Sequence, residues 1–254
     1  MADDHKKRRP LRAVLILAVL AVLTAGFVRW DNTALQTACF EPFFTRLPEG
    51  FDGCRLAVLS DLHGAEFGAG NRALFAAVSE AAPDYIFYLG DLEDLYRGPA
   101  AGYAETVAEG LSAIAPLYYV TGNHEWAIGG VPALKKRLEA HGAHILSNES
   151  VVLERNGDTV ILAGVDDHNG YADQKPPEQV AEEVYAAHGA PVWLPFTDGL
   201  LSTERTLFPS YTAGFYEENG SALFVTRGLG NSGPTLRLFN RPEVAVVTLR
   251  RGAQ

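Results

Sequence analysis

The chain has 254 residues, of which 47% are hydrophobic and 20% charged, and its formal net charge is −10. This length and composition suit one folded domain with a sizeable core and exclude a disordered protein. Two cysteines exclude a disulfide-stapled scaffold, and the acidic balance argues against a nucleic-acid partner, which requires a basic surface.

A basic cluster followed by an uncharged apolar run opens the chain. Five basic residues lie within the first twelve positions, and residues 13–28 carry no charge. Such a run is typical of a membrane anchor or of a secretory signal peptide. An uncleaved anchor is favoured, because the nearest candidate cleavage site, Leu23-Thr24-Ala25, has Leu where a small residue is preferred. The positive-inside rule then predicts a single-pass protein with a cytoplasmic N-terminus and an extracytoplasmic domain.

Strands alternate with helices in the first half of the domain. Apolar runs without polar alternation, typical of parallel strands buried on both faces, lie at residues 55–60, 85–89 and 117–120. Helical spacing follows each of them, at residues 71–81, 103–113 and 131–140. Three successive β-α units predict a mostly parallel sheet wrapped by helices.

The second half of the domain is predicted to be richer in strands. An Asn156-Gly157 turn between two apolar runs predicts a β-hairpin over residues 151–163. A short helical pattern ends near Ala187, and further short strands are predicted at residues 212–216, 222–226 and 244–249. We therefore divide the chain into a cytoplasmic basic tail (1–12), a transmembrane anchor (13–30), a juxtamembrane segment (31–53) and one folded domain (54–254).

Polar side chains follow the three predicted parallel strands. Asp61 and His63 follow the first strand, Asp91 the second, and Asn123 and His124 the third. Because the carboxyl ends of parallel strands lie at one edge of a sheet, we expect these side chains to converge. Carboxylates and imidazoles suit divalent transition metals, and a carboxylate can bridge two ions. One such loop alone is better explained as a turn, but three in register favour a metal site.

These blocks resemble those of a known superfamily. Asp61-Leu62-His63, Gly90-Asp91-Leu92-Glu93-Asp94 and Gly122-Asn123-His124-Glu125 are similar to the first three signature blocks of the calcineurin-like metallophosphoesterases. Later blocks, among them Leu146-Ser147-Asn148 and Arg227-Gly228-Leu229-Gly230, resemble its membrane-anchored bacterial branch. The resemblance implies an α/β, β-sandwich-like metallophosphoesterase fold at residues 54–254, with βαβαβ units and outer helices, preceded by one N-terminal transmembrane helix.

The resemblance also implies two divalent metal ions, such as Mn, Fe or Zn. Asp61 and His63 would bind the first ion, Asp91 would bridge both, and Asn123 would bind the second. His124 would protonate the leaving-group oxygen or stabilise charge on the phosphoryl group. The implied reaction is hydrolysis of a phosphodiester, phosphomonoester or pyrophosphate, carried by a phosphorylated small molecule or a lipid-linked phosphate.

Two later histidine blocks of the superfamily are not intact. The best match to the last block is Tyr185-Ala186-Ala187-His188, in which His188 keeps the ligand to the first metal and Ala186 replaces a ligand to the second. Twenty residues separate Asp167 from His188, too few for the strand-helix-strand unit expected there. The chain is therefore either an enzyme that holds a labile second metal through Asn123 and water, or a weakened, mononuclear or inactive phosphoesterase-like binding protein.

Two acidic residues in the same loops have two interpretations. Asp94 and Glu125 follow the second and third strands. Carboxylates in such positions can orient ligand imidazoles through hydrogen bonds, or they can lie in solvent as ordinary loop residues.

Overall fold

The structure, a computed structural model, describes residues 4–96, 98, 101–167, 170, 175–188, 196–197, 213–218, 221–232, 237 and 239–252. Within these ranges the helices are α1 (Asp4–Thr33), α2 (Arg72–Ala81), α3 (Tyr103–Ser112), α4 (Asn123–Ile128), α5 (Val131–Ala140) and α6 (Pro177–His188). The strands are β1 (Gln36–Phe40), β2 (Phe43–Phe44), β3 (Arg55–Leu59), β4 (Tyr85–Tyr88), β5 (Leu117–Tyr119), β6 (Ala143–Ile145), β7 (Glu149–Arg155), β8 (Asp158–Gly164), β9 (Phe196–Thr197), β10 (Gly214–Glu218), β11 (Ser221–Val225), β12 (Glu243–Thr248) and β13 (Arg250–Arg251).

A six-stranded sheet forms the centre of the domain, in the order β1-β12-β3-β4-β5-β6. Strands β3 to β6 are parallel to one another, whereas β12 runs antiparallel to β3. The predicted series of β-α units is confirmed. Because β3, β4 and β5 are parallel, the loops that follow them lie at one edge of the sheet.

Both faces of this sheet are covered. Helices α2, α3 and α5 bury Leu74, Val107 and Leu134 against one face. The β7–β8 hairpin and β11 bury Leu153 and Phe224 against the other. A strand with apolar neighbours on both faces needs apolar side chains at every position, which is why the central strands have uninterrupted apolar sequences. The fold is therefore a mixed α/β, sandwich-like architecture with helices on the outside, as predicted.

Part of the predicted juxtamembrane segment is built into the sheet. Strand β1 pairs in parallel with β12 along its whole length. Phe40 packs against Phe215 and Phe224, with ring centroids 5.9 and 5.0 Å apart. Residues 31–53 thus differ from the prediction by contributing an edge strand. The sequence conceals it because polar and apolar residues do not alternate along Gln36–Phe40 as their exposure does.

Helix α1 precedes the domain. Its stretch Arg12–Thr33 is long and apolar enough to cross a membrane by length and composition. The large apolar side chains of this stretch are exposed, Val14 by 61% and Leu23 by 63%. An exposed apolar surface of this extent is unusual on a protein surrounded only by water. The predicted apolar helix at the N-terminus is confirmed.

Candidate metal centre

Three loops bring metal-ligating side chains together at the carboxyl edge of the sheet. The imidazole Nε2 of His63 lies 3.5 Å from Asp61 Oδ1 and 3.7 Å from Asp91 Oδ2. His63, Asp91 and His124 are buried, and each presents a ligand atom within 4.8 Å of the others. The structure therefore brings four of the predicted site residues, Asp61, His63, Asp91 and His124, into one cluster.

The backbone of these loops is strained. Asp61, His63 and Asp91 adopt left-handed conformations, with φ of 54°, 46° and 53°. Each such residue costs about 1 kcal/mol or more when it is not glycine. Hydrogen bonds between the loops hold this geometry, because the Asp61 N–H donates to the Gly90 carbonyl at 3.1 Å and the His63 N–H to the Asp91 carbonyl at 2.9 Å. The first two loops therefore fix each other.

Two glycines allow the second and third loops to touch. A Cβ on Gly90 would collide with the backbone of Gly122, and a Cβ on Gly122 would collide with Asp91. Gly90 also has a φ of 95°. Because no larger residue fits at either position, the Gly-Asp and Gly-Asn pairs of the sequence reflect this close approach as well as local turns.

The buried carboxylate of Glu125 connects the second and third loops through hydrogen bonds. Its carboxylate is 1% exposed and accepts the backbone N–H groups of Gly122 and Asp91 at 2.8 and 2.9 Å, and those of Leu92 and Glu93 at 2.8 and 3.2 Å. Burial raises the pKa of Glu125 to about 6, against the effect of these four donors. Neither interpretation from the sequence is right for this residue. Glu125 supports the loop backbone, because a buried carboxylate satisfies several N–H groups at once.

His124 has a defined proton arrangement. The Leu95 N–H donates to Nδ1 at 3.2 Å, so a neutral ring carries its proton on Nε2, which lies 3.1 Å from Ser232 Oγ. Asp94 is 1% exposed, and its Oδ1 lies 3.9 Å from Nδ1, which excludes the solvated interpretation of that residue. Burial lowers the pKa of His124, as does the ring of His63, whose centroid is 4.5 Å away.

A C-terminal loop completes the site. The Gly230 N–H donates to the Asp61 carbonyl at 2.5 Å, and a Cβ on Gly228 or Gly230 would collide with residues 61 and 62. The same loop carries Ser232, the partner of His124. In the sequence, Arg227-Gly228-Leu229-Gly230 resembles a recurring block of the superfamily, to which no role is attached. The Gly-x-Gly spacing of this block is the feature that indicates a close backbone contact.

The clustered donors fit a divalent cation. Ligand atoms about 2.1 Å from one ion lie roughly 3.0–3.4 Å apart, close to the spacings between His63 and the two carboxylates. Burial, followed by the nearby carboxylate of Glu125, raises the pKa of Asp91 to about 7. Burial lowers the pKa of His63, but Asp61 and Asp91 outweigh this effect and raise it overall. The site concentrates negative charge out of water, and a bound cation would neutralise that charge.

Comparison with known proteins agrees with this site. A sequence model described as calcineurin-like phosphoesterase matches residues 54–206, more than half of the chain. The chain belongs to the calcineurin-like phosphoesterase family.

Relatives of this calcineurin-like phosphoesterase occur in bacteria and animals. A zebrafish (Danio rerio) "transmembrane protein with metallophosphoesterase domain" is 28% identical over 96% of this chain, which spans 63% of that protein's length. The "uncharacterized metallophosphoesterase YkuE" of Bacillus subtilis is 24% identical, over 96% of this chain and 97% of its own. A solved archaeal phosphodiesterase aligns with a TM-score of 0.39 at 14% identity, covering 68% of this chain and 83% of its own.

One predicted metal ligand lies outside the buried cluster, and the side chain of another lies outside the described residues. Asn123 is the first residue of α4 and is exposed. His188 is the last residue of α6, and its side chain lies outside the described residues. The helical pattern predicted to end near Ala187 is confirmed as α6, and Tyr185-Ala186-Ala187-His188, the best match to the last histidine block, form its last turn. The assignments of Asn123 and His188 stay predictions.

A buried ion pair supports the third loop of the phosphoesterase site. Lys135 Nζ lies 2.7 Å from Asp166 Oδ2, and Asp166 is 5% exposed. The other carboxylate oxygen of Asp166 accepts the hydroxyl of Thr121, immediately before Gly122, at 2.5 Å. Lys135 also donates to Ser147 Oγ at 2.5 Å. This network fixes the chain where it leaves β5 for the site.

Lys135→Met is expected to lower the free energy of unfolding by about 2 kcal/mol, because it leaves the buried Asp166 carboxylate without its cation. For a domain of this size, that loss lowers Tm by roughly 4–8 °C. Thermal unfolding of the full chain in mild detergent measures the effect. Lys136→Met, at the exposed neighbouring position, is the matched control. Equal Tm values for the two variants would contradict a stabilising role for the pair.

Proposed function

We propose that the protein is a metal-dependent hydrolase of phosphoesters. The observation that carries the proposal is the meeting of Asp61, His63, Asp91 and His124 at the carboxyl edge of a parallel sheet. Open α/β folds keep their ligands at this edge. Buried carboxylates beside two imidazoles are the donor set expected of a catalytic transition-metal site, whereas a purely structural site would not need this polar, partly open edge.

The residues proposed to hold the metals are those that the family resemblance implies. Asp61 and His63 would bind the first ion, Asp91 would bridge two ions, Asn123 would bind the second, and His188 would supplement the first. A divalent ion of the Mn, Fe or Zn type supplies Lewis acidity toward a phosphoryl oxygen and toward water. The geometry most strongly supports Asp61, His63 and Asp91 as ligands, because the carboxylates of Asp61 and Asp91 both approach Nε2 of His63.

His124 is proposed to act on the phosphoryl group from beside the metals. The Leu95 N–H donates to Nδ1 of His124. The Nε2–H of the same ring is therefore the donor available to the leaving-group oxygen or to a phosphoryl oxygen. The Oγ of Ser232 lies 3.1 Å from this nitrogen. A positioned donor stabilises charge that develops in the transition state.

The proposed location is the cell membrane. The apolar α1 supports an anchor at residues 13–30 behind a cytoplasmic tail at 1–12, with residues 31–53 leading into an extracytoplasmic metallophosphoesterase domain at 54–254. The excess of basic residues before residue 13 supports this orientation. The substrate class at this stage is a phosphodiester, phosphomonoester or pyrophosphate, on a small molecule or on a lipid-linked phosphate. We expect no nucleic-acid substrate, since the chain is acidic.

Hydrolysis of a generic aryl phosphodiester tests the function. The full chain in detergent is expected to hydrolyse it with added Mn²⁺ and to lose this activity in EDTA. His124→Ala is expected to lower kcat by about a hundredfold or more, the usual effect of removing a positioned proton donor. The control is His144→Ala, because His144 is an exposed imidazole on β6 that stacks on Tyr118.

The other outcome identifies the alternative function. A chain that binds Mn²⁺ but hydrolyses no aryl phosphoester with Mn²⁺, Fe²⁺ or Zn²⁺ is a phosphoesterase-like binding protein. Ala186, where the family places a metal ligand, is the feature that favours this alternative.

A further inference from the structure

The end of α1 is fixed rigidly to the catalytic domain. The Asn32 side chain accepts the Arg237 N–H at 2.7 Å and donates to the Arg237 carbonyl at 3.0 Å. Asp31, which is 2% exposed, accepts the Phe239 N–H at 2.6 Å. The helix therefore reaches the domain without a flexible linker, and the surface around its end has a fixed distance from the apolar stretch.

Exposed aromatic side chains lie close together where α1 joins the domain. Trp30 is 52% exposed, and Phe239 of the domain is 82% exposed. Both lie against Phe27, with ring centroids 6.1 and 5.7 Å away. The guanidinium of Arg241 covers the Trp30 ring at 4.6 Å. Exposed aromatic residues with a neighbouring cation are typical of the boundary between lipid and water. With α1 as the proposed anchor, this end of the domain would lie at that boundary.

Arg237 links this boundary to the metal site. It is 7% exposed, and its guanidinium donates to the carbonyls of Gly228, at 3.3 Å, and of Gly230, and to Asn231 Oδ1 at 2.9 Å. The same two glycines pack against Asp61. One continuous set of hydrogen bonds therefore runs from α1 to a proposed metal ligand.

A cavity of about 590 Å³ lies between α1 and these loops. Its helix wall includes Ala25, Val28 and Arg29, which share one face of α1 at a spacing of three to four residues. The opposite wall includes Gly64, directly after His63, and Gly230, in contact with Asp61. The cavity thus touches the apolar anchor on one side and the metal-site loops on the other.

We infer that this cavity binds a membrane amphiphile with a phosphoester headgroup, and that such an amphiphile is the substrate. The inference rests on the proposed function and on the proposed anchor. Ala25 and Val28 offer an apolar surface to a hydrocarbon chain, and Arg29 offers a cation to a phosphate. The cavity is broadly open, and its volume lies within the range of small-ligand sites.

Inhibition by soluble and lipid phosphates tests the inference. Hydrolysis of the aryl phosphodiester by the full chain in non-ionic detergent is measured with dioctanoyl phosphatidic acid or with glycerol 3-phosphate as inhibitor. The lipid is expected to inhibit at least about tenfold more strongly, a ratio that burial of two methylene groups suffices to give. Equal inhibition constants would overturn the inference.

A matched pair of helix variants localises the effect. Val28→Trp fills the cavity and is expected to raise the lipid inhibition constant, relative to the KM of the aryl phosphodiester, by about tenfold. Leu23→Trp places the same side chain on the opposite, exposed face of α1 and leaves this ratio at the wild-type value. A wild-type ratio in Val28→Trp would contradict binding in the cavity.

Native mass spectrometry separates this inference from the proposed function. In EDTA, where hydrolysis is suppressed, the wild-type chain released from detergent is expected to retain one dioctanoyl phosphatidic acid, and Val28→Trp to retain none. This readout needs no turnover, so a chain without hydrolytic activity contradicts the proposed function while retention still tests the cavity. Equal retention by the wild type and Val28→Trp would overturn the inference.

Discussion

Asp91→Asn is expected to lower kcat/KM for an aryl phosphodiester by about a thousandfold. The amide keeps the shape of the side chain but removes the charge proposed to be shared between two metals. A loss of about 4 kcal/mol of transition-state stabilisation corresponds to about three powers of ten in rate. Steady-state kinetics with Mn²⁺ measures the activity, and the metal content of the purified protein is expected to fall in parallel.

The fold is expected to survive this substitution. An Asn oxygen can still accept the His124 N–H, which now donates to Asp91 Oδ1 at 2.9 Å, and the variant removes a buried charge near Glu125. In EDTA, its Tm should be no lower than that of the wild type. Glu80→Gln, on an exposed part of α2, is the control and should keep full activity. Wild-type activity and metal content in Asp91→Asn would rule out Asp91 as a ligand.

Glu125→Gln is expected to lower the free energy of unfolding by about 4 kcal/mol. The buried carboxylate accepts four N–H groups, whereas an amide offers one oxygen and turns an NH₂ donor toward the remaining donors. Each buried donor left unsatisfied costs about 1–3 kcal/mol. For this chain length the expected fall in Tm is roughly 8–16 °C. Activity should fall as well, because the loop that loses its support carries Asp91.

The control for Glu125 is chemically identical but solvated. Glu109→Gln makes the same substitution on the exposed side of α3 and is expected to change Tm by no more than about 1 °C. Thermal unfolding of both variants in the same detergent gives the comparison. A Tm for Glu125→Gln within that margin of the wild type would contradict the supporting role of the carboxylate.

The central fold could be predicted because burial on both faces leaves a simple pattern. Strands β3, β4 and β5 are apolar at nearly every position, and polar loop residues follow them at a spacing of one β-α unit. Strand β1 could not be predicted in the same way. It lies at the edge of the sheet, its exposed residues alternate with half-buried ones, and its partner β12 is some two hundred residues away in the chain.

The candidate site was predictable only in its metal-ligating residue types. Asp61, His63, Asp91 and His124 converge because strand direction alone determines which edge they occupy. The roles of Glu125 and Ser232 depend on contacts between loops, which no local pattern encodes. Whether a loop carboxylate meets solvent or four N–H groups is decided by how closely Gly90 and Gly122 let two loops approach.

The strand order has a consequence for how this chain folds during synthesis. Strand β12 lies between β1 and β3, so β1 has no partner among the described strands of the central sheet until residues 243–248 have emerged from the ribosome. Until then β1 and one side of β3 remain open edges, which are sites of mispairing and aggregation. The central sheet therefore closes only when β12 inserts between β1 and β3.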